Sequence, residues 1–141
     1  MKSCEILLAE DNPADAEMVR VALREHEIAC TLHLVEDGGS ALELLNRLDR
    51  DANAPRLDLV ILDMHLPKHD GEEILKGLRS TKRYAQTPVI VMSGVSSRII
   101  EEETATKYAA LVYFTKPASV TEYMRLGSIV RDVLRQTGGA A

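Results

Sequence analysis

The residues best equipped for chemistry are few and rich in carboxylates. Glu10 and Asp11 follow a compact apolar run, "EILLA" (5–9). Asp63 closes a second run, "LDLVILD" (57–63), and Pro67 and Gly71 come shortly after it in "DMHLPKHDG". Ser93 and Gly94 end a third, "PVIVMS" (88–93), and Thr115, Lys116 and Pro117 follow a fourth, "ALVYF" (110–114). Carboxylates brought within several ångströms of one another repel, and leaving them bare pushes a pKa up. A hard divalent cation removes that repulsion. Mg2+ needs only one or two carboxylates and fills its octahedral oxygen shell with waters and phosphate oxygens. Lys116 adds a point positive charge, Ser93 a hydroxyl donor, and Gly94 open space beside that hydroxyl. A nucleophilic carboxylate, a cation site, an ammonium and a hydroxyl together suit an incoming phosphoryl group. Asp63 is the expected nucleophile, because its strand lies between the acidic pair and the lysine.

These residues are far apart in sequence and converge only if the runs before them share one sheet. The pattern between the runs supplies the means. "PADAEMVRVALREHE" (13–27) has helical spacing, with Pro13 suited to a first turn. "CTLHLVED" (30–37) alternates as a half-buried strand does. "SALELLNRLDR" (40–50) predicts a helix with Ser40 as its N-cap. "EEILKGLRSTKR" (72–83), "SSRIIEEETATKYA" (96–109) and "SVTEYMRLGSIVRDVLRQ" (119–136) complete the helical set. Strand and helix alternate five times, which predicts an α/β fold of (βα)5 type, a doubly wound parallel sheet covered on both faces. Ligands of such sheets bind beyond the carboxyl ends of the strands. All four chemistry-bearing termini then fall on one edge.

Composition narrows the function. The chain has 141 residues, enough for one domain with a real core, and 1–141 reads as a single domain with its core at about 5–136 and a frayed tail, "TGGAA". Its net charge of −5, without a Lys/Arg run, excludes an electrostatic footprint for nucleic acid. No apolar segment has the length of a membrane span, and the start of the chain lacks a signal-peptide pattern. Two cysteines, Cys4 and Cys30, in a chain with ample core read as reduced thiols, and the expected setting is cytoplasmic. His65 and His69 have a spacing that on a helix suggests zinc, but Pro67 between them argues against a helix.

Glu10–Asp11, the Asp63–Pro67–Gly71 segment, Ser93–Gly94 and "YFTKP" (113–117), in this order and on these elements, resemble a receiver domain of the two-component response-regulator family. The resemblance spans residues 5–136. Within the family, "AEDNPADAEMV" and the polar stretch before the third strand most resemble single-domain regulators paired with bacterial phytochrome histidine kinases. The resemblance implies a flavodoxin-like strand order, 2-1-3-4-5. It implies that Asp63 accepts phosphoryl from a sensor histidine kinase, with a bacteriophytochrome as the candidate. It implies Mg2+ held by Asp11, Asp63 and the backbone carbonyl of His65, with Glu10 acting through a water. Lys116 and Ser93 would contact phosphoryl oxygens, Ser93 and Tyr113 would form the switch, and Pro117 would follow a cis bond. His65 and Val95 occupy the positions that tune phosphoryl lifetime in this family, and Ala109–Ala110 stand where glycine is frequent.

With no residues left for an output domain after 136, the expected output is phosphorylation-dependent contact with another protein, through the helix at 96–109, the strand at 110–114 and the helix at 119–136. Apolar positions in the last helix exceed one buried stripe, which favours a homodimer through this face. Two other readings compete. A pseudo-receiver would bind partners without phosphate, but usually lacks part of the acidic set or the lysine. An Mg2+-dependent phosphohydrolase would carry a second Asp where His65 stands.

Overall fold

The computed structural model of the protein describes residues 3–66, 68, 70–94, 102 and 112–137. The expected helix at 96–109, together with Pro67, His69, Val95 and the tail, lies outside or almost wholly outside these. The described elements are β1 (Cys4–Ala9), α1 (Pro13–Glu25), β2 (Cys30–Val35), α2 (Gly38–Arg50), β3 (Leu59–Asp63), α3 (Gly71–Ser80), β4 (Val89–Ser93), β5 (Val112–Thr115), α4 (Val120–Tyr123) and α5 (Arg125–Gln136). All strand pairs are parallel, in the order β2-β1-β3-β4-β5. The order reverses at β1, which has β2 on one side and β3 on the other, and this reversal opens the crevice at the sheet's carboxyl edge.

Alternation along the strands sorts the apolar residues into two cores. Ile6, Leu8, Leu59, Ile61, Ile90, Met92 and Phe114 face Ala16, Val19, Leu23, Leu126 and Val130 of α1 and α5. Leu7, Ala9, Val60, Leu62, Val89 and Val91 face Ala41, Leu45, Ile74, Leu75 and Leu78 of α2 and α3. β3 and β4 are buried throughout, as strands covered on both faces must be. Each large aliphatic side chain buried this way stabilises the fold by about 1.5–3 kcal/mol.

The caps fix where the helices begin. Asn12 Oδ1 accepts from the backbone N–H of Ala14 at 2.8 Å, with Pro13 opening α1. α2 is capped by Asp37 rather than Ser40. Asp37 Oδ1 accepts from the Ser40 N–H at 2.7 Å, so the helix includes both glycines and Ser40 lies inside its first turn. Asp70 does the same for α3 through Glu73 N–H at 3.0 Å. The predicted closing helix is two segments, because Met124 tightens the turn and its carbonyl accepts from Gly127 N–H at 3.0 Å. The bond before Pro117 is trans, not cis. Trans is the lower-energy form even for proline, by about 0.5–1 kcal/mol.

Candidate functional site

Strand register sets the depth of each site residue. Ala9 pairs with Leu62, Asp63 with Met92 and Met92 with Phe114. Glu10, one residue past Ala9, therefore stands level with Asp63, and Asp11 projects one step further. Alternation continues past the strand ends, so Glu10, Asp63 and Lys116 share the side of the sheet that α1 and α5 cover. Ser93 shares the opposite side with Tyr113, which packs against the core of α2 and α3. The tips of β4 and β5 are joined by the backbone itself, Lys116 N–H donating to Ser93 O at 2.8 Å.

The Lys116 ammonium is the centre of the arrangement. Its Nζ lies 2.7 Å from Glu10 Oε1, 3.0 Å from Asp63 Oδ2 and 3.1 Å from Asp15 Oδ2. Asp63 is 4 % exposed and Glu10 1 %. Asp63 Oδ1 accepts from the backbone N–H of His65 at 2.9 Å, which aims its carboxylate along the edge. Glu10 Oε2 accepts from Asn12 N–H at 3.2 Å. Glu10 Oε1 is ion-paired with the ammonium, and among the described residues that buried oxygen accepts no hydrogen bond.

Burial pushes the Glu10 carboxyl up to about 7. The Lys116 ammonium opposes the rise and the neighbouring Asp63 adds to it. Burial also works against charge on Asp63, but the His65 N–H, Glu10 and Lys116 outweigh it and hold this carboxyl below its usual range. A shared proton thus prefers Glu10 and leaves Asp63 an anion. Burial alone would lower the Lys116 pKa, whereas Glu10 and Asp63 together raise it.

One carboxylate oxygen from each of Glu10, Asp11 and Asp63 lies within 4.8 Å of the others. Hard oxygen donors, and a buried oxygen with no hydrogen bond, fit a hard divalent cation such as Mg2+. Asp11 is exposed and would offer such a cation a carboxylate on the solvent side.

The β3–α3 turn holds this edge in shape. Gly71 N–H donates to Met64 O at 3.1 Å. A Cβ on Gly71 would stand 2.5 Å from Met64 Sδ and 2.7 Å from Met64 Cα, so only glycine fits. Gly94 is different: among the described residues a Cβ there meets nothing within 4 Å.

Glu10, Asp63 and Lys116 therefore meet as their positions in the sequence suggested, with Asp11 at the rim. Asp15 was missed. Its signal was its place four residues after Asp11 in the first turn of α1, where an acid also has the ordinary role of facing the helix dipole. Tyr123 was also missed as a site residue. Its hydroxyl donates to Asp15 Oδ1 at 3.2 Å, and its ring packs against Phe114 with centroids 5.8 Å apart.

A five-stranded parallel sheet in the order β2-β1-β3-β4-β5, with an acidic cluster and a lysine at its carboxyl edge, is the arrangement of a receiver domain. The sequence profile of the response regulator receiver domain matches residues 6–126, and the chain belongs to that family. Among its relatives is the response regulator Rcp1 of Synechocystis sp., 30% identical over 123 residues, which cover 86% of this chain and 82% of that protein. A crystal structure of the phosphorylated cyanobacterial phytochrome response regulator RcpA has a TM-score of 0.81 at 29% identity, covering 96% of both chains. The Mn2+-bound form of Rcp1 has a TM-score of 0.77 at 26% identity, covering 92% of both. Receivers of two-component systems are signalling proteins rather than classical enzymes. Among the described residues no helix is long and apolar enough to cross a membrane.

Proposed function

We propose that Asp63 is the phosphoacceptor of this receiver and that its donor is a phosphohistidine of a sensor kinase. The observation that carries the reading is the anionic Asp63 carboxylate at the sheet edge, 3.0 Å from the Lys116 ammonium and beside Glu10 and Asp11. In the transfer, an Asp63 carboxylate oxygen attacks phosphorus, a P–O bond forms and the P–N bond to histidine breaks. The His65 N–H steadies Oδ1 while Oδ2 faces the ammonium. Asp11, Asp63 and the His65 carbonyl, with Glu10 acting through water, would hold Mg2+, which would supply charge neutralisation at this edge. Lys116 takes a phosphoryl oxygen by charge-assisted hydrogen bonding, and Ser93 by its hydroxyl.

The Ser93–Tyr113 pair, on one side of the sheet, then carries the switch. Phosphorylation biases two states only by its differential contacts with them. The output is protein contact through the face that includes β5 and α5, with self-association as one form. Similarity to RcpA and Rcp1 favours a phytochrome-type kinase as the donor.

The test is intact-protein mass after incubation with acetyl phosphate, with and without Mg2+, on the wild type and Asp63→Asn. One phosphoryl adduct that requires both Mg2+ and Asp63 is expected. A folded protein that acquires no adduct would favour the pseudo-receiver reading.

A further inference from the structure

An ammonium has three N–H donors and no acceptor. Lys116 Nζ has three carboxylates within 3.1 Å, Asp15 and Asp63 as hydrogen-bond acceptors and Glu10 as an ion pair, and the three are not equivalent. Glu10 and Asp63 also belong to the cluster that can share a cation with Asp11, whereas Asp15 does not. A divalent cation and the ammonium would draw on the same two carboxylates, and close approach of two positive groups is unfavourable. Only Asp15 could keep its hold on Lys116 throughout.

The surroundings of Asp15 suit that task better than they suit a helix-dipole acid. Its side chain is 24 % exposed, and both oxygens are engaged, Oδ2 by Lys116 and Oδ1 by the Tyr123 hydroxyl. Tyr123 is 3 % exposed and wedged against Phe114, so the hydroxyl is held from the core rather than from solvent. The chain Tyr123–Asp15–Lys116 thus runs from the α4 core to the acidic edge, joining parts of the sequence more than a hundred residues apart.

We propose that Asp15 is a positioning residue that retains the Lys116 ammonium beside the phosphoacceptor when a divalent cation claims Glu10 and Asp63, and that Tyr123 holds Asp15 in place. The proposal rests on the phosphoacceptor reading of the site and deepens it. Without Asp15, the carboxylates left beside the ammonium among the described residues are Glu10 and Asp63, the two that the cation would also draw on.

The test is a double-mutant cycle on cation affinity, read by the loss of the free Mn2+ signal in electron paramagnetic resonance and its recovery as Mg2+ displaces the ion. Circular dichroism verifies that each variant is folded. Asp15→Asn is expected to weaken Mn2+ binding by about tenfold, the scale of one charge-assisted hydrogen bond. Tyr123→Phe, which leaves every charge in place, is expected to weaken it by about threefold, less than Asp15→Asn because the lost hydrogen bond acts on the ammonium only through Asp15. In a Lys116→Met background, where no ammonium competes, Asp15→Asn is expected to change affinity less than about twofold. An equal penalty in both backgrounds would overturn the proposal, since Asp15 would then act by its charge alone. So would a Tyr123→Phe variant with unchanged affinity. A wild type that takes up an acetyl-phosphate adduct yet shows no effect of Asp15→Asn would sink the inference and leave the phosphoacceptor reading standing. A wild type that binds no Mn2+ would overturn both.

Discussion

Lys116→Met isolates what the ammonium does for the folded protein before any phosphoryl group arrives. The substitution keeps most of the side-chain volume and leaves Glu10 and Asp63, both nearly inaccessible to solvent, facing each other without a cation. Breaking a buried ion pair by removing one partner costs about 3–5 kcal/mol. The lower end applies here, because the Lys116 side chain is 16 % exposed and water can reach the vacated position. With a urea m-value of about 2 kcal/mol/M, a loss of about 3 kcal/mol lowers the midpoint by about 1.5 M. The loss depends on pH. Burial raises the Glu10 carboxyl to about 7 even with Lys116 opposing it, and without the ammonium the carboxyl rises further. A carboxyl whose folded pKa exceeds its unfolded value of about 4.3 favours the folded state in acid, and that contribution is lost as pH rises through the folded pKa. The gap between variant and wild type is therefore small near pH 5 and widest near pH 8. The assay is urea unfolding followed by circular dichroism at both pH values in EDTA, then with millimolar Mg2+, which should restore more to the variant than to the wild type. A variant as stable as the wild type at pH 8 in EDTA would refute the reasoning, as would a gap of equal size at both pH values.

Two further outcomes follow from single positions. Gly71→Ala forces a Cβ against Met64 Cα, a backbone atom that cannot swing aside. The expected loss is about 2 kcal/mol, seen as a fall of about 5 °C in thermal midpoint, and an unchanged midpoint would show that the β3–α3 turn relaxes freely. Burial pushes the Cys4 thiol to about 11 from 9.0, so the folded state favours the protonated thiol. That contribution is intact below pH 9 and is lost as pH rises to 11, by up to about 2–3 kcal/mol, and Cys4→Ala should flatten the decline in urea midpoint over this range. Parallel declines in the two proteins would assign the alkaline loss elsewhere.

Much of this site could be read from the chain because strands announce their ends. "VILD" stops on a charge, and an apolar run that does so must place that charge at the sheet's rim. The same holds for Ala9–Glu10. Asp15 gave no such announcement. An acid in a first helical turn is ordinary, and what sets it apart is a lysine 101 residues away that only the folded sheet brings near. Asp37 and Ser40 show a local ambiguity of the same kind. Both are good caps, and the sequence "DGGS" reads more easily as a loop ending on serine. The fold instead winds both glycines into α2, where Gly38 is buried and has no side chain to accommodate. The break at Met124 is hidden because Glu122, Met124, Arg125 and Leu126 are good helix formers, and the apolar helical spacing runs through it. The bond before Pro117 turned on the path to Ser119, which the sequence does not specify.

The division of the apolar residues between two faces has a consequence for how this chain can evolve. One layer of backbone separates the cores, and substitutions about 7–10 Å apart with no shared partner act almost independently. Drift that repacks Leu45 against Ile74 need not be answered by any change between Val19 and Leu126. Each layer can explore sequence by itself, and compensating changes stay on their own side. The acidic rim has no such freedom, because there Asp15 and Tyr123 reach it from one layer while Ser93 and Tyr113 belong to the other. A replacement at the rim must satisfy both neighbourhoods at once.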